Sequence, residues 1–112
     1  MKLIFVLLSG IFFATAAFAH PPKSIQIKYS RQDKHLSIEA VHAVKNVEDH
    51  YISEIIITIN GVEKEKITLT KQSSTAAEQY TCAIGELKTG DVVKVKATCN
   101  KIGSKTAEIT IP

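Results

Sequence analysis

The chain has 112 residues, with 14 Lys and Arg against 11 Asp and Glu, a formal net charge of +3. Such a length supports one small domain rather than two hydrophobic cores. Acidic and basic residues are interspersed, with no basic run, tryptophan, repeat, low-complexity tract or Pro/Gly-rich linker, so nucleic-acid binding has no support.

Met1-Lys2 opens the chain, an apolar run follows from Leu3 to Phe18, and Ala17-Phe18-Ala19 closes it. One positive charge, a short hydrophobic stretch and an A-x-A ending form the pattern of a secretory signal peptide over residues 1–19. The run is short for a membrane span, and nothing later resembles one. The expectation is an exported protein, periplasmic or secreted, free of the membrane once cleavage exposes His20. The remaining residues, 20–112, form a single domain of 93 residues carrying 13 basic and 11 acidic side chains.

Seven short strands are predicted. Ile25, Ile27 and Tyr29 alternate with polar residues, and Arg31-Gln32-Asp33-Lys34 provides a turn. Leu36, Ile38 and Ala40 continue the alternation into Val41-His42. A polar connector then carries His42 and His50 into the most apolar stretch, Tyr51 to Ile59, largely β-branched and closed by Asn60-Gly61. Ile55, Ile57 and Ile59 share one face at period two, with Ile52 and Ile56 on the other, as expected of a central strand. Lys64 to Thr70 forms the return strand, with Ile67 and then Leu69 facing inward, and Gln72 to Ala77 reads as a polar loop. Tyr80, Cys82 and Ile84 alternate before a turn at Lys88-Thr89-Gly90-Asp91. Val93, Val95, Ala97 and Cys99 then share a face, and a turn containing Gly103 leads to Ala107, Ile109 and Ile111. No segment holds a helical period for three turns. Regular turns between period-two segments predict an all-β, immunoglobulin-like β-sandwich of about seven strands.

The chemistry rests on four histidines and two cysteines. His35 falls in a turn and reads as solvent-facing. His42 and His50 stand at the mouth of the central strand, where imidazoles are well placed to bind a metal. Cys82 and Cys99 lie on inward faces flanking one turn. In an exported chain they read either as a cross-strand disulfide, stabilising by roughly 3 kcal/mol, or as a pair that leaves Cys99 free. No nucleophile elbow, glycine-rich phosphate loop or carboxylate constellation points to hydrolysis or nucleotide binding.

The segment Glu48-Asp49-His50-Tyr51-Ile52, with His42 upstream, resembles the histidine loop of the desulfoferrodoxin/superoxide reductase family. His20-Pro21-Pro22 is similar to that family's first ligand motif, His-x-Pro. Cys99-Asn100-Lys101-Ile102-Gly103 is similar to its Cys-Asn-x-His-Gly motif. The resemblance spans residues 20–112. It implies a sandwich carrying one mononuclear non-haem iron, held by four equatorial histidines and an axial thiolate, that reduces superoxide with a small redox partner. Matched by motif, His20, His42 and His50 fall on histidine positions and Cys99 on the thiolate position. The chain departs from the pattern in four ways. Ile102 stands at the fourth histidine, Ala43 replaces a proline, the loop between His42 and His50 is longer, and the acidic residue and lysine before the first histidine have no counterpart. With this incomplete ligand set, superoxide reduction is expected to be weak or absent.

Without the family, three imidazoles and a thiolate suit Fe(II), Zn(II) or Cu. A His20 freed by cleavage adds its α-amine as a further donor, the arrangement of an exported copper-binding or carrier-type sandwich. A metal-free sandwich binding a partner through its edge strands is the third reading.

Overall fold

The computed structural model describes residues 20–112, so the signal peptide expected over residues 1–19 lies outside the described residues. Seven strands form, and no helix occurs among the described residues: β1 (Ser24–Ser30), β2 (His35–Val41), β3 (Ile52–Ile59), β4 (Val62–Thr68), β5 (Ala77–Ala83), β6 (Val92–Cys99) and β7 (Ser104–Thr110). They make two antiparallel sheets, in the orders β1-β2-β5 and β4-β3-β6-β7. The expected all-β sandwich is thus the observed one.

Period-two patterning decides which side chains meet between the sheets. Ile25, Ile27, Leu36, Ile38 and Ala40 enter from one sheet, and Ile55, Ile57, Ile59, Val93, Val95 and Ala97 from the other. β3 is central, as its apolar content predicts, with β4 on one side and β6 on the other. Asn60 and Gly61 both take positive φ, 49° and 84°, which gives the two-residue hairpin expected of that dipeptide.

Three features of the sequence reading need correction. Ile52 does not share the outer face with Ile56. The β3–β6 register shifts between Ile52 and Glu54, leaving Ser53 as an additional residue, and Ile52 turns into the core. Cys82 and Cys99 are not on neighbouring strands: Cys82 on β5 pairs with Leu36, while Cys99 ends β6 in the other sheet, and both thiols are free. The turn between these strands is therefore part of a crossover, not a hairpin. Tyr29 pins this crossover by donating to the Gly85 carbonyl (2.8 Å) and accepting from the Leu87 N–H (2.9 Å), and Leu87 is buried beneath it. Finally, Gln72, assigned to a polar loop, is only 1% exposed.

Antiparallel pairing brings the end of β2, the start of β3 and the end of β6 to one end of the sandwich. His42, His50 and Cys99 follow from that topology. His35, paired with Ser30 and Ala83, lies at the opposite end and is exposed.

Candidate metal centre

Each ligand candidate is held by its own local structure. His42 directly follows β2, and its N–H donates to the Ala76 carbonyl (2.9 Å) while Val44 N–H donates to Thr75 (2.8 Å), so the connector runs against the 72–76 loop. His50 closes a tight turn organised by Asn46. The Asn46 carbonyl accepts from Asp49 and His50 N–H groups (3.1 and 3.0 Å), and its side-chain oxygen accepts from Glu48 N–H (2.9 Å). Asn100 then ties this turn to the end of β6. Its Oδ1 accepts from Tyr51 N–H (2.9 Å), its Nδ2 donates to the Asp49 carbonyl (3.1 Å), and its own N–H donates to Tyr51 (2.9 Å). The asparagine after Cys99 thereby holds the His50 turn beside the thiol.

The N-terminal arm completes the cluster. Pro22 is buried, Lys23 N–H donates to Val41 (2.7 Å), and Pro21 packs against Gly103. A Cβ at Gly103 would stand 2.9 Å from Pro21 Cβ, and the backbone there has φ of +79°. Glycine is required at this position on both counts.

The three imidazoles of His20, His42 and His50 pack edge to face, with ring centroids 4.7 to 5.3 Å apart. One ring nitrogen from each lies within 4.8 Å of the other two. Cys99 Sγ is 3.2 Å from His50 Nε2, and Lys101 N–H donates to it (3.4 Å). A tetrahedral zinc site with metal–nitrogen and metal–sulfur bonds of ordinary length places its nitrogen donors roughly 3.3 Å apart and nitrogen and sulfur roughly 3.6 Å apart. The Cys99–His50 pair is already close to such a spacing, and the histidine nitrogens, within 4.8 Å of one another, reach it if each moves inward by less than an ångström. The donor set therefore fits one ion. The structure brings together all four residues matched by motif. Ile102, at the fourth histidine position, is one of the two exposed large hydrophobics among the described residues.

Electrostatics favour the neutral form of His50. His50 has its pKa lowered, first by burial, then by His42, His20 and Lys101, with Asp49 opposing. A histidine whose pKa is lower in the folded protein binds fewer protons there than in the unfolded chain. Its contribution to stability is complete above the unfolded value near 6.5 and is lost as pH falls through that value toward the folded one. Metal-free protein is therefore expected to lose stability on acidification through this window, and His50→Ala to flatten the dependence. Urea denaturation at several pH values measures both.

The residue that sequence reasoning missed is Gln72. Its amide donates to the carbonyls of His42 (2.7 Å) and Ser74 (2.9 Å), and its Oε1 accepts from Ile52 N–H (3.2 Å) and lies 2.8 Å from His42 Nδ1. In sequence it sits in a Gln-Ser-Ser-Thr run typical of a loop. The available signal was indirect: a buried His42 needs a polar partner, and β2 itself offers none.

No family model matches the chain, and no curated protein matches it either. Solved structures do. A variant of the superoxide reductase (neelaredoxin) from Ignicoccus hospitalis is similar with a TM-score of 0.53 at 17% identity, covering 88% of this chain and 85% of that one. A second variant of the same protein gives 0.46 at 18% identity over the same shares. At such identity the likeness is one of fold, and the chain has a superoxide-reductase-like β-sandwich.

Proposed function

We propose that this chain is an exported, small metal-binding protein of superoxide-reductase-like fold whose resident ion is iron. The observation that carries the reading is the convergence of His20, His42 and His50 to within 4.8 Å at one end of a rigid sandwich. Support for iron comes from the Cys99 thiol beside His50 and from the fold likeness. The leader pattern of residues 1–19 supports export.

The histidines and Cys99 would hold the ion, and when bound it supplies one-electron redox chemistry. The protein supplies the rest. His50, with its lowered pKa, keeps a lone pair available at neutral pH. Lys101, paired with Asp49 at 3.5 Å and 41% exposed in its side chain, brings positive charge to the His50 side of the rim. Such a charge draws a small anion, and superoxide is one. Three histidines in place of four leave the ion with one nitrogen donor fewer than the resemblance implies, so any superoxide reduction is expected to be weak.

One observation favours a second reading, a copper site. The His20 carbonyl oxygen lies 3.1 Å from His42 Nε2, so the His20 main chain, and with it any freed α-amine, stands at the cluster.

The test is titration of metal-free protein beginning at His20 with Fe(II), Zn(II) and Cu(II), alongside the same chain with Ala19 retained. One ion per chain is expected. Equal Fe(II) affinity in both forms supports the iron reading, whereas Cu(II) binding that collapses with Ala19 supports copper. Absence of stoichiometric binding by any of the three sinks both and leaves a partner-binding sandwich.

A further inference from the structure

We infer that Gln72 is the positioning residue of this centre, holding His42 in the Nδ1–H tautomer so that Nε2 is its donor atom; the inference rests on the metal-binding reading above. The orientation of the Gln72 amide follows from its surroundings. Its nitrogen faces two carbonyl oxygens and its oxygen faces a backbone N–H, so all three contacts agree on one placement. A flipped amide would set oxygen against the His42 and Ser74 carbonyls and nitrogen against the Ile52 N–H. The residue is buried, and water cannot repair such mismatches.

With Oε1 so placed, the fourth contact requires a proton on His42 Nδ1, which lies 2.8 Å away. A neutral imidazole has only one N–H. His42 Nε2 is then left with a lone pair, aimed at the His20 carbonyl oxygen 3.1 Å away, and His42 is fully buried. Two acceptors at that distance repel each other. A cation at Nε2 removes the conflict, and the neighbouring His20 and His50 nitrogens supply further donors for a divalent ion. Gln72 thus leaves Nε2 as the atom through which His42 takes up a cation, a proton or a metal ion, in the way that an outer hydrogen-bond partner fixes the tautomer of a ligating histidine.

Two substitutions separate positioning from simple structural support. Gln72→Met and Gln72→Glu both lose the donors to His42 and Ser74, and both are expected to lower stability. Only the glutamate keeps an acceptor for His42 Nδ1–H. Nitrogen-15 NMR of metal-free protein in mildly alkaline buffer is expected to show His42 as Nδ1–H in the parent and in Gln72→Glu, but shifted toward Nε2–H in Gln72→Met. Zn(II) affinity, measured by chelator competition, is expected to fall about tenfold or more in Gln72→Met and to stay close to the parent value in Gln72→Glu. Retention of the Nδ1–H form in Gln72→Met, or equal weakening of Zn(II) binding in both variants, would overturn the inference. If the parent binds no Zn(II), the metal reading fails on its own, and the tautomer measurement still decides the role of Gln72.

Discussion

Replacing His50 by alanine is expected to reduce affinity for Fe(II), Zn(II) and Cu(II) by at least the ten- to hundredfold that loss of a ligand's outer partner costs. His50 is the sharpest probe because its ring is not part of the Gln72 network. Its only side-chain hydrogen bond among the described residues is with Cys99, and its turn is held by Asn46 and Asn100 through main-chain atoms. The fold should therefore survive, which an unchanged circular dichroism spectrum checks. Calorimetric titration then reads the loss directly, and an affinity equal to the parent's for all three ions would mean that the cluster is not a metal site. Cys99→Ser refines the outcome. A parallel loss identifies the thiolate as a ligand, whereas unchanged binding leaves a three-histidine centre without the sulfur donor that supports the iron reading.

Ile57→Ala is expected to destabilise the protein by about 3–4 kcal/mol, within the range for large-to-small changes at fully buried sites. Ile57 is fully buried in β3, opposite Val95 on β6 and Glu65 on β4, so little can collapse into the space left behind. A domain of this size has a total stability of roughly 5–14 kcal/mol, and the loss would be a large share of it. Urea denaturation measures the change as a lower midpoint at similar slope. A cost below about 1 kcal/mol would contradict the packing described for β3. Metal affinity of the folded fraction should stay close to the parent's, because Ile57 is remote from the end where His50 and Cys99 lie.

The strands were legible because alternation is written residue by residue. Val93 to Cys99 and Leu36 to Ala40 place their inward sets without reference to anything distant, and Asn60-Gly61 announces its own turn. Ile52 was misassigned because a bulge changes parity. Nothing local to Ser53 marks it as the additional residue, and only the partner strand reveals the shift. Cys82 and Cys99 were set side by side by the same assumption, that strands joined by a short turn are neighbours. The crossover fixed by Tyr29 breaks that rule through contacts 56 and 58 residues apart in sequence.

The side chains that converge at the candidate site were legible in the sequence, and what supports them was not. His20, His42, His50 and Cys99 carry recognisable motifs. Gln72 is a single amide in a polar run, and its importance lies in which four groups surround it. That is a property of the tertiary structure alone.

The pieces of the centre come from three stretches that meet only when both sheets have closed: the arm at His20, the connector from His42 to His50, and the end of β6 at Cys99. A chain dominated by such long-range pairings acquires its order late and together. An unfolded or half-folded copy offers scattered imidazoles and no cage, so an ion can be held only once the sandwich has closed. Intrinsic preference among divalent ions would hand almost any nitrogen-rich cage to copper. On the metal-binding reading, what the centre carries is set by the ions present where the last strand docks.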